Sequence, residues 1–211
     1  MKKILIIDFG AGNIHSIKNA VAQIVGEENI VIVEQVSDFV AASHIILPGV
    51  GAFDRAMYNL KERKNLIGKL SEEVINNKVP LLGICIGMQV LADIGYENKT
   101  ISGLGWISGE VKPLPTENLI VPHMGWNNIN IINNKDIYKK FSCFDKKDFY
   151  FVHSYYFDCM KSDNIIAEVK YGILLPAIIA VDNIIATQFH PEKSGENGLE
   201  FLKIFLQVEK R

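Results

Sequence analysis

One run of nine residues constrains this chain more than any other: LLGICIGMQ, at residues 81–89. An apolar segment of strand length leads directly into Cys85, and a segment suited to a helix begins at Met88. Gly83 and Gly87 stand two residues before and after the cysteine. A strand, a sharp turn and a helix, with a nucleophile between two glycines, form the arrangement of a nucleophile elbow. The run therefore predicts a reactive thiol at the end of a strand.

The elbow favours Cys85 as a nucleophile in two ways. It places the thiol at the N-terminus of a helix, where the helix dipole stabilises a thiolate. It also allows the backbone N–H of Ile86 to point at a developing oxyanion. A lone cysteine in an apolar run is more commonly a buried core residue. The functional interpretation therefore depends on partners for the thiol elsewhere in the chain.

Such partners stand near the end of the chain, in the run TQFHPEKS at residues 187–194. A thiol nucleophile needs a base, and the base needs a group that orients it. His190 and Glu192 supply both groups on one extended segment. An isolated His-Pro-Glu run is typical of a surface turn, but together with the elbow it predicts a catalytic triad of Cys85, His190 and Glu192.

These runs resemble those of a known family. Residues 83–89 (GICIGMQ) and 188–192 (QFHPE) are similar to the motifs of the class I, triad-type, glutamine amidotransferases. Residues 122–127 (PHMGWN) and 151–156 (FVHSYY) narrow the resemblance to the glutaminase subunits of imidazole glycerol phosphate synthases. The resemblance extends from Asp8 to Phe205. It implies an enzyme that hydrolyses L-glutamine to glutamate and ammonia. It also implies a heterodimer with a barrel-shaped cyclase subunit, which uses the ammonia to form imidazole glycerol phosphate and AICAR in histidine biosynthesis.

The resemblance further implies where glutamine binds. The loop PGVGAF at residues 48–53 would line the site, with Gly49 against the substrate. The backbone N–H of Gly51 would join that of Ile86 in the oxyanion hole. Glycines at the end of a strand allow the backbone to approach a ligand closely, although such a loop can also be a plain turn before the next helix.

Three further residues complete the predicted glutamine site. Gln89 lies about one helical turn after Cys85, a suitable place for a side chain that positions the substrate. The resemblance implies that backbone groups around Ser154 and Tyr155 hold the glutamine α-carboxylate. No cluster of Cys, His and Asp has the spacing of metal ligands, so we expect neither a metal nor another cofactor.

Four residues are predicted to lie at the partner interface: Asn13, His123, Trp126 and Lys193. Asn13 follows the first strand, in a loop that lies near the partner in the resembling family. Exposed aromatic residues such as Trp126 commonly anchor interfaces. Lys193 directly follows Glu192, so a contact there could sense a docked partner. The alternatives are a core position for Trp126 and a position framing the site for His123.

Apolar periodicity predicts the fold. Strands at residues 4–7, 30–34, 44–47 and 81–84 alternate with helices, which indicates a parallel sheet. From about Gly103 the pattern changes to successive strands, at residues 109–112, 126–132, 149–153, 165–169, 177–181 and 184–188, before a last helix at 195–208. The resemblance implies a flavodoxin-like α/β fold. We expect a mostly parallel central sheet flanked by helices, with an antiparallel extension, in a single domain of residues 1–211.

Composition limits the partners and the compartment. A net charge of −2 gives no indication of a nucleic acid or an anionic membrane as a partner. No apolar run approaches the length that spans a membrane. The three cysteines are scattered and odd in number, which is no disulfide framework. A reduced, cytoplasmic setting is therefore expected.

Three alternatives remain open from the sequence. Residues 103–107 (GLGWI) and 151–159 also resemble a paralogous branch that supplies ammonia for amidino-sugar formation in surface-polysaccharide pathways. A non-enzymatic binding module on the same fold would not need Cys85, His190 and Glu192 together. A cysteine peptidase would leave Gln89 and the Ser154-Tyr155 pair without a purpose.

Overall fold

The computed structural model describes residues 3–10, 12–117, 119–132 and 136–209. Its first half alternates strands and helices, as the sequence predicts. The elements in chain order are β1 (Lys3–Ile7), α1 (Ile14–Val25), β2 (Ile30–Val33), β3 (Ala42–Gly49), α2 (Phe53–Glu62), α3 (Leu66–Ser71), β4 (Leu81–Cys85) and α4 (Ile86–Gln89). A π-helical turn, Glu72–Asn76, continues α3.

The second half consists mainly of strands. They are β5 (Ile94–Gly95), β6 (Ile101–Ser102), β7 (Gly109–Pro113), β8 (His123–Ile131), β9 (Asp148–His153), β10 (Tyr155–Cys159), β11 (Ile165–Tyr171), β12 (Ile173–Val181) and β13 (Ile184–Thr187), followed by α5 (Gly195–Phe205). Short 3₁₀ turns occupy Glu27–Asn29, Val36–Asp38, Asp136–Phe144, Ser162–Asn164 and Pro191–Lys193.

Nine of these strands form the central sheet, in the order β2-β1-β3-β4-β13-β12-β11-β8-β9. The first five strands of that order pair in parallel. The remaining four are antiparallel to their neighbours and form the predicted extension. A second sheet, in the order β10-β7-β5-β6, is absent from the prediction. Two of its strands have only two residues each, which is too short for a periodic pattern to appear.

The parallel strands are apolar on both sides because helices cover both faces of the sheet. The side chains of residues 4–7 in β1, and all five residues of β4, are buried. One continuous apolar core contains residues from every part of the described chain. This continuity is consistent with a single domain, which stays a prediction.

The sheet brings distant parts of the sequence to one edge. β4 and β13 are parallel neighbours, with Ile84 opposite Thr187. Because parallel strands end at the same edge of a sheet, the residues that follow β13 lie beside Cys85. Phe189, which follows β13, stacks on Phe149 with ring centroids 4.1 Å apart. This packing fixes the segment that carries His190.

Within the described ranges, no helix is long and apolar enough to cross a membrane. The same residues contain no group of three or more His, Cys, Asp or Glu side chains that could hold a metal ion.

Candidate active site

Cys85 sits at a sharp turn between β4 and α4. Its backbone has φ +54° and ψ −109°, a left-handed conformation that costs a residue other than glycine about 1–3 kcal/mol. The flanking glycines allow the turn. A Cβ on Gly83 would lie 2.6 Å from the carbonyl oxygen of Gly87, and a Cβ on Gly87 would lie 1.7 Å from that of Leu47. A side chain at either position would therefore displace the elbow.

The helix after the elbow is shorter than the sequence predicts. It begins at Ile86, earlier than expected, and ends at Gln89 after a single turn. One turn supplies backbone N–H groups that have no partner within the helix, but it sums few peptide dipoles. The stabilisation of a Cys85 thiolate must therefore come chiefly from other neighbours than the helix dipole.

His190 and Glu192 are brought to the same place as Cys85. Nδ1 of His190 lies 2.8 Å from Oε1 of Glu192, and both side chains are at most 2% exposed. The backbone of His190 is fixed on both sides, since its N–H donates to Tyr150 O and its carbonyl accepts from Ser194 Oγ. Nε2 of His190 is buried without a hydrogen-bond partner among the described residues. That nitrogen remains available for proton transfer.

Opposing effects act on the protonation of His190. Burial by itself lowers the pKa of His190, but the negative charges of Cys85 and Glu192 outweigh it and raise this pKa to about 10. The arrangement therefore favours an imidazolium at His190, between Cys85 and Glu192, at neutral pH.

This charge pair predicts the pH dependence of thiol reactivity. The imidazolium is present at neutral pH and is lost only as the pH rises through about 10. We expect this imidazolium to speed the alkylation of Cys85 by iodoacetamide at neutral pH, and the gain to be lost as the pH rises through about 10, in a Cys143→Ser, Cys159→Ser background. In His190→Ala the rate at pH 6–7 should fall about tenfold, the effect of about 1.4 kcal/mol of lost charge interaction. Superimposable pH profiles would show that His190 is not coupled to the thiol.

A cavity of about 250 Å³ opens above the elbow. Cys85, His190 and both backbone positions of the predicted oxyanion hole, Gly51 and Ile86, line it. Val50, Gln89, Glu97, Pro122, Val152, His153, Ser154 and Tyr155 complete the wall. The structure thus brings most of the predicted glutamine-site residues around one space.

Gly49 is the exception among them. It is buried at the end of β3, opposite Cys85 in the sheet, and does not line the cavity. A Cβ on Gly49 would approach the Cβ of Ile86 to 2.9 Å. The backbone of Gly49 therefore packs closely against the elbow, and its contact with the substrate stays a prediction.

Gln89 is buried in the cavity wall and held by its amide nitrogen. Nε2 donates to Tyr155 O at 2.9 Å and to Gln188 Oε1 at 3.1 Å. Oε1 of Gln89 is buried without a partner among the described side chains and backbone groups. A buried carbonyl oxygen of this kind is suited to accept a hydrogen bond from an N–H group of a ligand.

Sequence reasoning missed two residues of this site. Glu97 lines the cavity, and its Oε2 accepts from the backbone N–H of Phe53 at 2.7 Å. Burial raises the pKa of this carboxyl group. Gln188 is fully buried, and its Nε2 lies 3.7 Å from Cys85 Sγ. Glu97 carries no motif signal, whereas Gln188 stands inside the run that contains His190.

The predicted interface residues differ in their exposure. Trp126 is 58% exposed and Met124, two residues earlier on β8, is 62% exposed. The ring of Trp126 packs edge to face on Tyr150, and Nζ of Lys193 lies 5.9 Å from the same Tyr150 ring. We call the surface formed by Met124, Trp126, Tyr150 and Lys193 the β8 face. The exposure of Trp126 excludes the alternative that this residue belongs to the core.

Asn13 and His123 lie elsewhere. Asn13 is exposed at the start of α1, where its side chain accepts from the N–H of Ser16 at 3.4 Å. His123 is only 3% exposed and stacks on Phe151 and Tyr171. The prediction of a partner contact at His123 is therefore corrected, because its ring is inside the protein, where it contacts His153 of the cavity wall.

The fold and the site define a glutamine amidotransferase. The model of the family "Glutamine amidotransferase class-I" matches residues 5–208, so the chain belongs to this family. Within it, the chain is similar over nearly its whole length to proteins named subunit HisH of imidazole glycerol phosphate synthase. The relative from Lactococcus lactis is 46% identical over 208 residues, covering 98% of this chain and 99% of its own. The relative from Methanocaldococcus jannaschii is 41% identical, covering 96% and 98%.

A third relative, subunit HisH 2 of Vibrio vulnificus, is 43% identical over 97% of this chain and 94% of its own. Among solved structures, one titled glutamine amidotransferase superposes with a TM-score of 0.74 at 16% identity, covering 97% of this chain and 99% of that chain. PurLQS from Thermotoga maritima gives 0.72 at 16% identity, with 98% of both chains covered. At such identities these structures confirm the fold alone.

Proposed function

We propose that this chain is the glutaminase subunit of an imidazole glycerol phosphate synthase. One observation carries the proposal: Cys85 and His190 line one cavity although they are 105 residues apart, and Glu192 is hydrogen-bonded to His190. The similarity to subunits named HisH supports imidazole glycerol phosphate synthase as the enzyme that uses the ammonia. The three free cysteines also support a reducing, cytoplasmic setting.

The proposed reaction has two halves. Cys85 Sγ attacks the side-chain amide carbon of L-glutamine, and the tetrahedral oxyanion is stabilised by the N–H groups of Gly51 and Ile86. The C–N bond then breaks, and His190 gives its proton to the leaving ammonia. Water attacks the glutamyl thioester with His190 as the base, which releases glutamate and restores the thiol. Glu192 orients His190 through Nδ1 in both halves.

Three groups in the wall suit the amino-acid end of glutamine. The carboxylate of Glu97 and the buried Oε1 of Gln89 are acceptors for an α-ammonium group. The segment around Ser154 and Tyr155 also lines the cavity and offers backbone groups to an α-carboxylate. This combination would distinguish a free amino acid from a peptide, because a peptide lacks both terminal charges.

The role of Glu97 gives a measurable prediction. Glu97→Gln keeps the acceptor for the N–H of Phe53 but removes the negative charge. We expect the KM for glutamine to rise about tenfold or more, the effect of losing a hydrogen bond between charged groups. The value of kcat should stay within about threefold, because this contact is equal in the ground state and the transition state. Steady-state glutamate release measures both, with Glu110→Gln as a control outside the cavity. An unchanged KM would remove Glu97 from the glutamine site.

Ammonia released by this chain needs an acceptor. We propose a heterodimer with a barrel-shaped cyclase subunit, docked on the β8 face and at Asn13. The β8 face exposes Met124 and Trp126, and methionine and aromatic residues are enriched in interface centres. Strands β8 and β9 pair directly, so this face adjoins the strand that carries Val152 in the cavity wall.

Truncation of Trp126 tests the docking surface. We expect Trp126→Ala to weaken binding of the cyclase subunit about thirtyfold, as for a central aromatic anchor. Titration calorimetry measures the affinity. Tyr58→Ala is the matched control, because Tyr58 is 61% exposed on a different element, α2. An affinity within twofold of wild type, with the chain still folded, would contradict docking at this face.

Complementation tests the destination of the ammonia. A histidine auxotroph that lacks this subunit should grow when it expresses the chain together with its cyclase subunit, and the Cys85→Ala variant should not restore growth. Glutamate release without complementation would instead favour the paralogous supply of ammonia for amidino-sugar formation. An absence of glutamate release with any partner would contradict the enzymatic proposal itself.

A further inference from the structure

Two buried histidines have no part in the chemistry described above. His123 and His153 stand opposite each other on β8 and β9, and they are 3% and 6% exposed. Nδ1 of His123 lies 2.9 Å from Nε2 of His153. The ring of His123 is stacked between Phe151 and Tyr171, at centroid distances of 4.9 and 4.0 Å.

The partners of these rings fix the direction of each hydrogen bond. Nδ1 of His153 lies 2.9 Å from Tyr155 O, which can only accept, so this nitrogen carries the proton. Burial lowers the pKa of His123 to about 4 and that of His153 to about 3, so both rings are neutral at pH 7. Nε2 of His153 therefore accepts from His123. Nε2 of His123 accepts in turn from Asn127 Nδ2 at 3.3 Å.

The carbonyl of Tyr155 connects the hydrogen bonds of the two histidines to Cys85. Tyr155 O also accepts from Gln89 Nε2, whose second N–H reaches Gln188 Oε1. Nε2 of Gln188 then faces Cys85 Sγ at 3.7 Å. Turning the Gln89 amide over would place its oxygen against Tyr155 O, so each group has one orientation that satisfies its neighbours. The hydrogen bonds run without a break from Asn127, beside the β8 face, to the thiol.

We propose that His123, His153 and Gln188 are positioning residues, which hold the Tyr155 carbonyl and the Gln89 amide so that an N–H of Gln188 is directed at the Cys85 sulfur. The proposal rests on the proposed role of Cys85 as the nucleophile. A directed N–H stabilises the thiolate over the thiol. The competing neighbour is Val152 O, at 3.9 Å from the sulfur, which can accept only from the protonated thiol.

A pair of substitutions at His123 separates hydrogen bonding from packing. His123→Phe keeps the stack between Phe151 and Tyr171 but removes the donor to His153. His123→Asn loses the stack but places an N–H near the position of Nδ1. In a Cys143→Ser, Cys159→Ser background, we expect His123→Phe to slow iodoacetamide alkylation of Cys85 at pH 7 about threefold, and His123→Asn to recover most of the rate. In thermal unfolding, His123→Asn should be less stable than His123→Phe, because only His123→Phe keeps the packing against Phe151 and Tyr171.

A double-substitution cycle with Gln188 closes the test. Gln188→Leu should slow alkylation about tenfold, since a hydrogen bond to a charged group is lost, and His123→Phe should then have no further effect. Independent, multiplicative effects would overturn the proposal, as would a normal alkylation rate in His123→Phe. Alkylation needs no glutamine, so it reports on the network even if the chain proves not to hydrolyse glutamine. Failure of glutaminase activity in wild type would contradict only the proposed function.

Discussion

Cys85→Ala is expected to reduce glutamate release by about ten-thousandfold or more, the cost of removing a nucleophile from a triad that acts as a unit. The loss should appear in kcat. The substitution leaves Gln89 and Glu97 of the cavity wall in place, so the variant should still bind glutamine if these residues hold it as proposed. Calorimetric titration with glutamine and a coupled glutamate assay measure the two properties separately.

Cys143→Ala is the matched control for this substitution. Cys143 is an exposed free cysteine that does not line the cavity. Its loss should leave glutamate release within about twofold, as for most surface substitutions. More than a tenth of wild-type activity in Cys85→Ala would show that the nucleophile is another group.

The sequence predicts those site residues that stand in a recognisable motif or directly follow a predicted strand. Cys85 and its glycines form a local pattern whose geometry is set by contacts within a few residues, such as Gly87 against Leu47. His190 and Glu192 were predictable because a thiol needs a base and an orienting carboxylate. Their proximity to Cys85 follows from the parallel pairing of β4 and β13.

The residues that the sequence could not place owe their roles to the tertiary structure. Glu97 belongs to no motif and reaches the cavity through an irregular segment that follows β5. His123 was predicted at the partner interface because it lies in the run of residues 122–127, but it is covered by Phe151 and Tyr171 from other strands. Gly49 and Gly51 stand in the same loop motif, and the structure distinguishes them: Gly49 ends β3 and packs on Ile86, whereas Gly51 has a positive φ.

The second large prediction is that the free subunit is a poor glutaminase, and that the cyclase subunit with its own ligand bound activates it. This prediction depends on the difference between Gly49 and Gly51. Gly49 is held in the sheet behind the elbow. Gly51 has φ +100°, and a Cβ added there would meet no atom within 4 Å. Because glycine adopts backbone conformations closed to other residues, the peptide before Gly51 can turn its N–H toward the oxyanion or away from it. Ammonia made without an acceptor is lost, so coupling this turn to the partner conserves glutamine.

The expected size of the activation follows from the chemistry. Losing one oxyanion donor lowers kcat about a hundred- to a thousandfold, or about 3–4 kcal/mol. A partner that binds the turned-in state more tightly by that amount restores the rate. We therefore expect glutamate release to rise in two steps, first when the cyclase subunit is added and then when its acceptor ligand is added. The larger step should come with the ligand, because only then can the ammonia be used.

A substitution at Gly51 tests whether the loop is the control point. Only glycine tolerates φ +100° without strain, so Gly51→Ala should change the ratio of activated to free rate while the affinity for the cyclase subunit stays within about twofold. Trp126→Ala should instead weaken binding of the cyclase subunit and leave the activation ratio unchanged, so that it reaches the full activated rate once the partner is saturating. If Gly51→Ala leaves the activation ratio unchanged, the switch lies elsewhere in the site. If the free subunit already works at the full rate, there is no gate, and this chain is a constitutive glutaminase whose partner merely collects the ammonia.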